Sequence, residues 1–126
     1  MNIFNILAVD DDQSLTKLLK YNLEGGGVQV MEAKNGLECL NLVKQVRVDL
    51  VVLDLRLPDF NGWGILSLLR LTDWLKQIPV VIVSVESPDQ PLVGMFAPED
   101  YIQKPFDTRD LLSRIKRVMT LKAACS

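Results

Sequence analysis

Short apolar runs alternate along the chain with longer stretches in which apolar residues recur at helical spacing, and this alternation predicts parallel strands joined by helices. The first run, Ile6-Leu7-Ala8-Val9, ends at three aspartates. Leu15, Leu18, Leu19 and Leu23 then mark a helical face that stops at Gly25-Gly26-Gly27, and Val28 to Ala33 begins the next strand. Asn35 followed by Glu38 has the spacing of a helix start, with Leu37, Leu40, Leu42 and Val43 as the face to bury. Leu50-Val51-Val52-Leu53 has no polar alternation, so it is expected at the centre of a sheet covered on both sides; Asp54 ends it.

A turn, Pro58-Asp59-Phe60-Asn61-Gly62, leads to another stripe of Ile65, Leu66, Leu68, Leu69 and Leu75. Val80 to Val83 forms the next buried strand and ends at Ser84. From Glu86 to Glu99 the helical pattern fails, because Pro88, Pro91, Gly94 and Pro98 punctuate it; one short helical turn is the most it predicts. A short strand from Asp100 to Gln103 precedes Lys104-Pro105. Asp107 is placed to cap a last helix with Leu111, Leu112, Ile115, Val118 and Met119 on its apolar face. The reading is one α/β domain over residues 1–122 with a tail over 123–126, without repeat, low-complexity segment or linker.

Composition narrows the chemistry. At 126 residues and 48% hydrophobic content the chain holds enough apolar material for one core. A formal charge of -2, with 14 scattered Lys and Arg residues, gives no general attraction to a phosphate backbone, so direct nucleic-acid binding is not expected. No apolar stretch approaches bilayer length and the start lacks a cleavable signal, so a soluble cytoplasmic protein without membrane contact is expected. Cys39 and Cys125 have no metal-ligand spacing and read as free thiols. With no histidine in the chain, Ser-His-Asp and Cys-His nucleophile pairs and imidazole-ligated metals are excluded.

Ligands of open parallel sheets bind beyond the carboxyl ends of the strands. Here those positions are Asp10, Asp11, Asp54, Ser84 and Lys104. Each aspartate alone reads equally well as a helix cap or a turn residue. Three carboxylates on one edge repel one another, and a hard divalent cation resolves the conflict; magnesium (Mg2+) is commonly held by one or two carboxylates with phosphate oxygens completing its shell. Lys104 and Ser84 then supply a charge and a hydrogen-bond donor for a phosphoryl group, and a carboxylate in such a site can itself be the nucleophile.

Val9-Asp10-Asp11, Leu53-Asp54 with Pro58 and Gly62 after it, Ser84 closing an apolar strand, and Tyr101-Ile102-Gln103-Lys104-Pro105-Phe106 together resemble the receiver domain of the two-component response-regulator family, across essentially the whole chain. The resemblance implies a flavodoxin-like (CheY-like) doubly wound sheet of order 2-1-3-4-5 with flanking helices. It implies Asp54 as phosphoacceptor, Asp10, Asp11 and Asp54 with the Arg56 backbone carbonyl as magnesium ligands, Lys104 on the phosphoryl group, and Ser84 with Tyr101 as the switch pair. Asp12 falls outside that set. The implied role is a phosphorelay switch with slow self-catalysis rather than an enzyme. A sensor histidine kinase or phosphotransfer protein would charge it, and a downstream protein, or a phosphorylation-dependent dimer, would read residues 86–99, the last strand and the last helix.

Some positions depart from the family pattern. The interval from Ser84 to Lys104 is shorter than in most members, Val85 replaces a small residue beside the site, and Asn61 stands where Asp is frequent. Arg56 and Glu86 are positioned to pair across the pocket mouth and slow hydrolysis; two solvated charges are the plain alternative. Two other functions compete: a receiver-like module that is not phosphorylated, and a phosphatase with Asp10 as nucleophile.

Overall fold

A computed structural model of the chain describes residues 3–88, 94 and 96–125, with side chains described as far as Ala123. Its elements run β1 (Phe4–Val9), α1 (Gln13–Leu23), β2 (Val28–Ala33), α2 (Gly36–Gln45), β3 (Leu50–Leu53), α3 (Gly62–Leu71), β4 (Val80–Ser84), β5 (Asp100–Gln103) and α4 (Thr108–Cys125). The strands pair in parallel in the order β2-β1-β3-β4-β5, as expected. Placing β1 between β2 and β3 reverses the direction of winding there, and the site of such sheets lies at this switch point.

Side chains alternate across each strand, so the apolar runs divide between two cores. Leu7, Val9, Val51, Leu53, Val80, Ile82 and Tyr101 face α2 and α3. Ile6, Ala8, Leu50, Val52, Val81, Val83 and Ile102 face α1 and α4. Because β1, β3 and β4 are covered on both faces, their sequences carry no polar alternation.

The helix ends follow the local chemistry. Asn35 caps α2, its side chain accepting from the Glu38 amide at 2.8 Å, while the Glu38 carboxylate accepts from the Lys34 amide at 3.2 Å. Asp107 caps α4 through the Asp110 amide at 3.0 Å. After α1 the chain reverses through Gly25, Gly26 and Gly27, all at positive φ, a conformation that side chains resist.

Two expectations need correction. Leu37 and Leu68 are 57% and 47% exposed, so the buried stripes of α2 and α3 are narrower than the leucine count suggests. Leu75 is buried but lies beyond α3, which ends at Leu71 with Thr72 as its cap. Between β4 and β5 the Ala97 amide donates to the Gly94 carbonyl at 3.2 Å, a single turn; residues 89–93 and 95, on which most of the expected irregular segment falls, lie outside the described residues. Helix α4 continues through position 122 to Cys125.

Candidate functional site

The loops leaving β1, β3 and β5 bring Asp10, Asp11, Asp54 and Lys104 together. Each of the three aspartates offers an oxygen, and these oxygens lie within 4.8 Å of one another, with Asp10 and Asp54 buried and Asp11 exposed. Lys104 Nζ donates to Asp10 Oδ2 at 2.9 Å and to Asp54 Oδ2 at 3.2 Å. The other Asp10 oxygen accepts from the Asp12 amide at 2.9 Å, and Asp54 Oδ1 accepts from the Arg56 amide at 3.0 Å. One ammonium thus stands between two buried carboxylates, with a third at the rim.

The electrostatics reflect this crowding. Burial raises the Asp10 pKa above the usual aspartate value, although the Asp12 amide and Lys104 pull the other way; the neighbouring Asp54 charge adds to the rise. For Lys104, burial favours the neutral amine, but the hydrogen bonds and charges of Asp10 and Asp54 outweigh it and raise the pKa. The ammonium offsets part of the mutual repulsion. Surplus negative charge with an exposed carboxylate at the rim is a donor set suited to a hard, oxygen-seeking cation.

Ser84, the last residue of β4, is fully buried. Its hydroxyl oxygen accepts from the Glu86 amide at 3.5 Å, and Tyr101, on the neighbouring strand, donates from its hydroxyl to the Glu86 carbonyl. The Tyr101 ring is buried and stacks on Trp63, with centroids 6.2 Å apart. Arg56 Nε meets Glu86 Oε2 at 3.3 Å, an exposed pair at the mouth of the site. Arg56 also forms an isolated antiparallel bridge to Asn61, which closes the loop after Asp54. Val85 is 49% exposed, its side chain turned toward solvent rather than filling the core.

The contacts of several supporting residues were not evident in the sequence. Asp12 caps α1, accepting from the Ser14 amide at 3.0 Å. Asp59 reaches from the β3–α3 loop to accept from the Gly36 and Leu37 amides at 2.7 and 3.0 Å, joining the acceptor loop to the start of α2. Desolvation raises the Asp59 pKa, but four backbone amides together lower it below the ordinary value. Gly62 is fixed by space: a β-carbon there would lie 2.6 Å from the Asp54 carbonyl oxygen and 2.7 Å from Leu55 Cα. Arg70 is buried, donating to the Ile78 carbonyl at 2.7 Å, the Ala97 carbonyl at 3.2 Å and Glu99 Oε1 at 2.7 Å. Only the Pro58-to-Gly62 turn signal pointed toward any of these contacts.

This sheet, with its acidic edge, is the architecture of two-component receivers, and the chain belongs to the response regulator receiver domain family, which matches residues 6–116. Among curated relatives it is 38% identical over 116 residues to the transcriptional regulatory protein CpxR of Escherichia coli, covering 90% of this chain and 48% of the relative. It is 35% identical over 114 residues to the alkaline phosphatase synthesis transcriptional regulatory protein PhoP of Bacillus subtilis, with the same coverage of 90% and 48%. The chain therefore spans about half the length of these relatives. Among solved structures, the chemotaxis response regulator CheY4 of Vibrio cholerae superposes with a TM-score of 0.81 at 27% identity, covering 93% of this chain and 99% of that one. The beryllofluoride-activated DrrB receiver domain gives 0.77 at 28% identity, covering 94% and 98%. Among the described residues no helix is long and apolar enough to cross a membrane.

Proposed function

We propose that the chain is a phosphoacceptor switch that takes a phosphoryl group from a phosphohistidine of a sensor kinase or phosphotransfer protein onto Asp54. The observation that carries this reading is the shared grip of Lys104 on Asp10 and Asp54 beside the exposed Asp11. Such a site neutralises a carboxylate nucleophile in part while leaving charge for a cation. Asp10, Asp11 and Asp54, with the Arg56 carbonyl, would hold magnesium. When bound, magnesium supplies the charge that lets anionic carboxylate and phosphoryl oxygens approach one another.

In the forward step an Asp54 oxygen attacks phosphorus as the phosphorus–nitrogen bond breaks; the imidazole leaves and takes up a proton. The product is an acyl phosphate, and Lys104 shifts from the carboxylates to one of its oxygens. Ser84 donates to another. In the reverse branch water attacks phosphorus, the bond to the Asp54 oxygen breaks, and inorganic phosphate departs.

An apolar groove of about 290 Å³ opens beside Asp10 and Lys104, walled by Leu15, Leu18, Pro105 and Phe106, and suits the donor protein. The downstream reader would take the surface of β5, α4 and the described residues from 86 to 88. The relatives' names include transcriptional regulators, so a transcriptional output is the reading we favour for the protein that carries this domain.

The test is incubation with a small phosphodonor and magnesium followed by intact-mass measurement. One phosphoryl adduct, absent in Asp54→Asn, is expected. An adduct lost only in Asp10→Asn supports the phosphatase chemistry instead, and no adduct supports a receiver-like module that is not phosphorylated. The Arg56–Glu86 pair stands where it can restrict the hydrolytic water, so Arg56→Ala and Glu86→Ala are expected to shorten the life of the acyl phosphate; unchanged decay rejects that role.

A further inference from the structure

Tyr101 and Gln103 are alternate residues of β5, so their side chains leave the strand on the same side. On that side runs the chain that leaves β4 after Ser84. The Tyr101 hydroxyl donates to the Glu86 carbonyl. The Gln103 side-chain amide donates to the Val85 carbonyl at 3.3 Å and to the Ser87 hydroxyl at 3.0 Å. Three consecutive residues beyond Ser84 are thus each held by a side chain of β5.

The residue at the centre of this grip, Glu86, is also the one whose amide reaches Ser84 Oγ. A serine hydroxyl that accepts at one lone pair keeps its own O–H to donate elsewhere. The direction of that donor follows from where the Glu86 amide stands, and the Glu86 amide stands where its two neighbours are tied. A primary amide suits the task because it carries two N–H groups and can serve two acceptors at once.

We infer that Gln103 is a positioning residue for phosphoryl binding: by holding Val85 and Ser87 it fixes the Glu86 amide and thereby aims the Ser84 hydroxyl at the group on Asp54. The inference rests on the receiver reading of Asp54 and Ser84, and adds a residue outside the reacting set. Tyr101 packs in the core, so its removal disturbs the fold along with the contact. Gln103 is exposed, and its replacement leaves the core intact.

The experiment titrates the magnesium-loaded domain with beryllofluoride, a phosphoryl mimic, and reads fluorescence. Of the two tryptophans, Trp63 stacks on Tyr101, so a Trp74→Phe background makes Trp63 the sole reporter. Gln103→Leu is expected to weaken beryllofluoride affinity by about 3- to 10-fold, the effect of losing one modest hydrogen-bonded restraint. Magnesium affinity and melting temperature are expected to stay unchanged. With Ser87→Ala already present, the Gln103→Leu effect is expected to shrink, because the two share the Gln103–Ser87 contact and only the hold on the Val85 carbonyl is left to lose. An unchanged or tighter affinity, or an effect of undiminished size beside Ser87→Ala, overturns the inference. If the parent protein binds no beryllofluoride, the receiver reading itself fails, an outcome recognisable because every variant is then silent.

Discussion

At the scale of single residues, the chemistry depends on groups that set the distance between Asp54 and its surroundings. Gly62 is the tightest of these. A methyl group there meets the Asp54 carbonyl and the Leu55 backbone rather than a movable side chain, so Gly62→Ala must displace either α3 or the acceptor loop. The expected cost is roughly 1–3 kcal/mol of unfolding free energy, measured by urea denaturation, with slower phosphorylation beside it. Arg70 poses a different problem, since its guanidinium is buried and bonded to three carbonyls, those of Lys76, Ile78 and Ala97, and to Glu99, which in turn accepts from the Val80 amide at 2.6 Å. Arg70→Met strands those acceptors, and a loss of about 3 kcal/mol is expected by the same measurement. The candidate residues Asp10, Asp11, Asp54, Ser84 and Lys104 were legible because each lies at or just beyond the carboxyl end of a strand, apolar in β1, β3 and β4. Arg70 was not, because a lone arginine among leucines on a helix gives no sign that it turns inward to meet a distant carboxylate.

At the scale of elements, helix caps and strand-to-helix ties hold the edge in place. Asp59 belongs to the acceptor loop yet caps α2, so Asp59→Ala is expected to lower the melting temperature and fray the start of α2, seen as faster amide exchange at Gly36 and Leu37. At the opposite end of the sheet, Asp100 ties β5 to α4 through Arg114, at 2.8 and 2.5 Å, with Arg117 nearby. Burial raises the Asp100 pKa, but the Arg114 hydrogen bonds, the Tyr101 amide and the two arginine charges lower it below the normal range. A carboxylate whose folded pKa lies below its unfolded one contributes fully above the unfolded value of about 3.9, and the contribution disappears as pH falls through the lowered folded value. Asp100→Asn is therefore expected to cost roughly 1–3 kcal/mol near neutrality, and the gap to wild type should close only below about pH 4. A gap that is constant or widens on acidification contradicts the assignment. The helices were legible from their caps and stripes, but stripe counting included Leu37 and Leu68, because a leucine at helical spacing does not reveal how much surface the neighbouring element covers.

At the scale of the whole molecule, the fold separates two tasks. The doubly wound sheet presents the ends of β1, β3, β4 and β5 along one edge, and that arrangement follows from the apolar runs and the crossovers between them. The departure lies between β4 and β5, where the described residues carry no helix and the chain is tied by Glu86 at one end and Glu99 at the other. Prolines and a glycine predict irregular structure there, but no local signal announced the ties that the described residues Glu86 and Glu99 make. The proposed function turns on Asp54 being the acceptor within the acidic edge. Its most direct measurement is borohydride reduction of the phosphodonor-treated protein, followed by peptide mass mapping, because borohydride converts an aspartyl phosphate to homoserine. Homoserine at position 54, dependent on magnesium, is the predicted result; homoserine at position 10, or none at any aspartate after treatment, contradicts it.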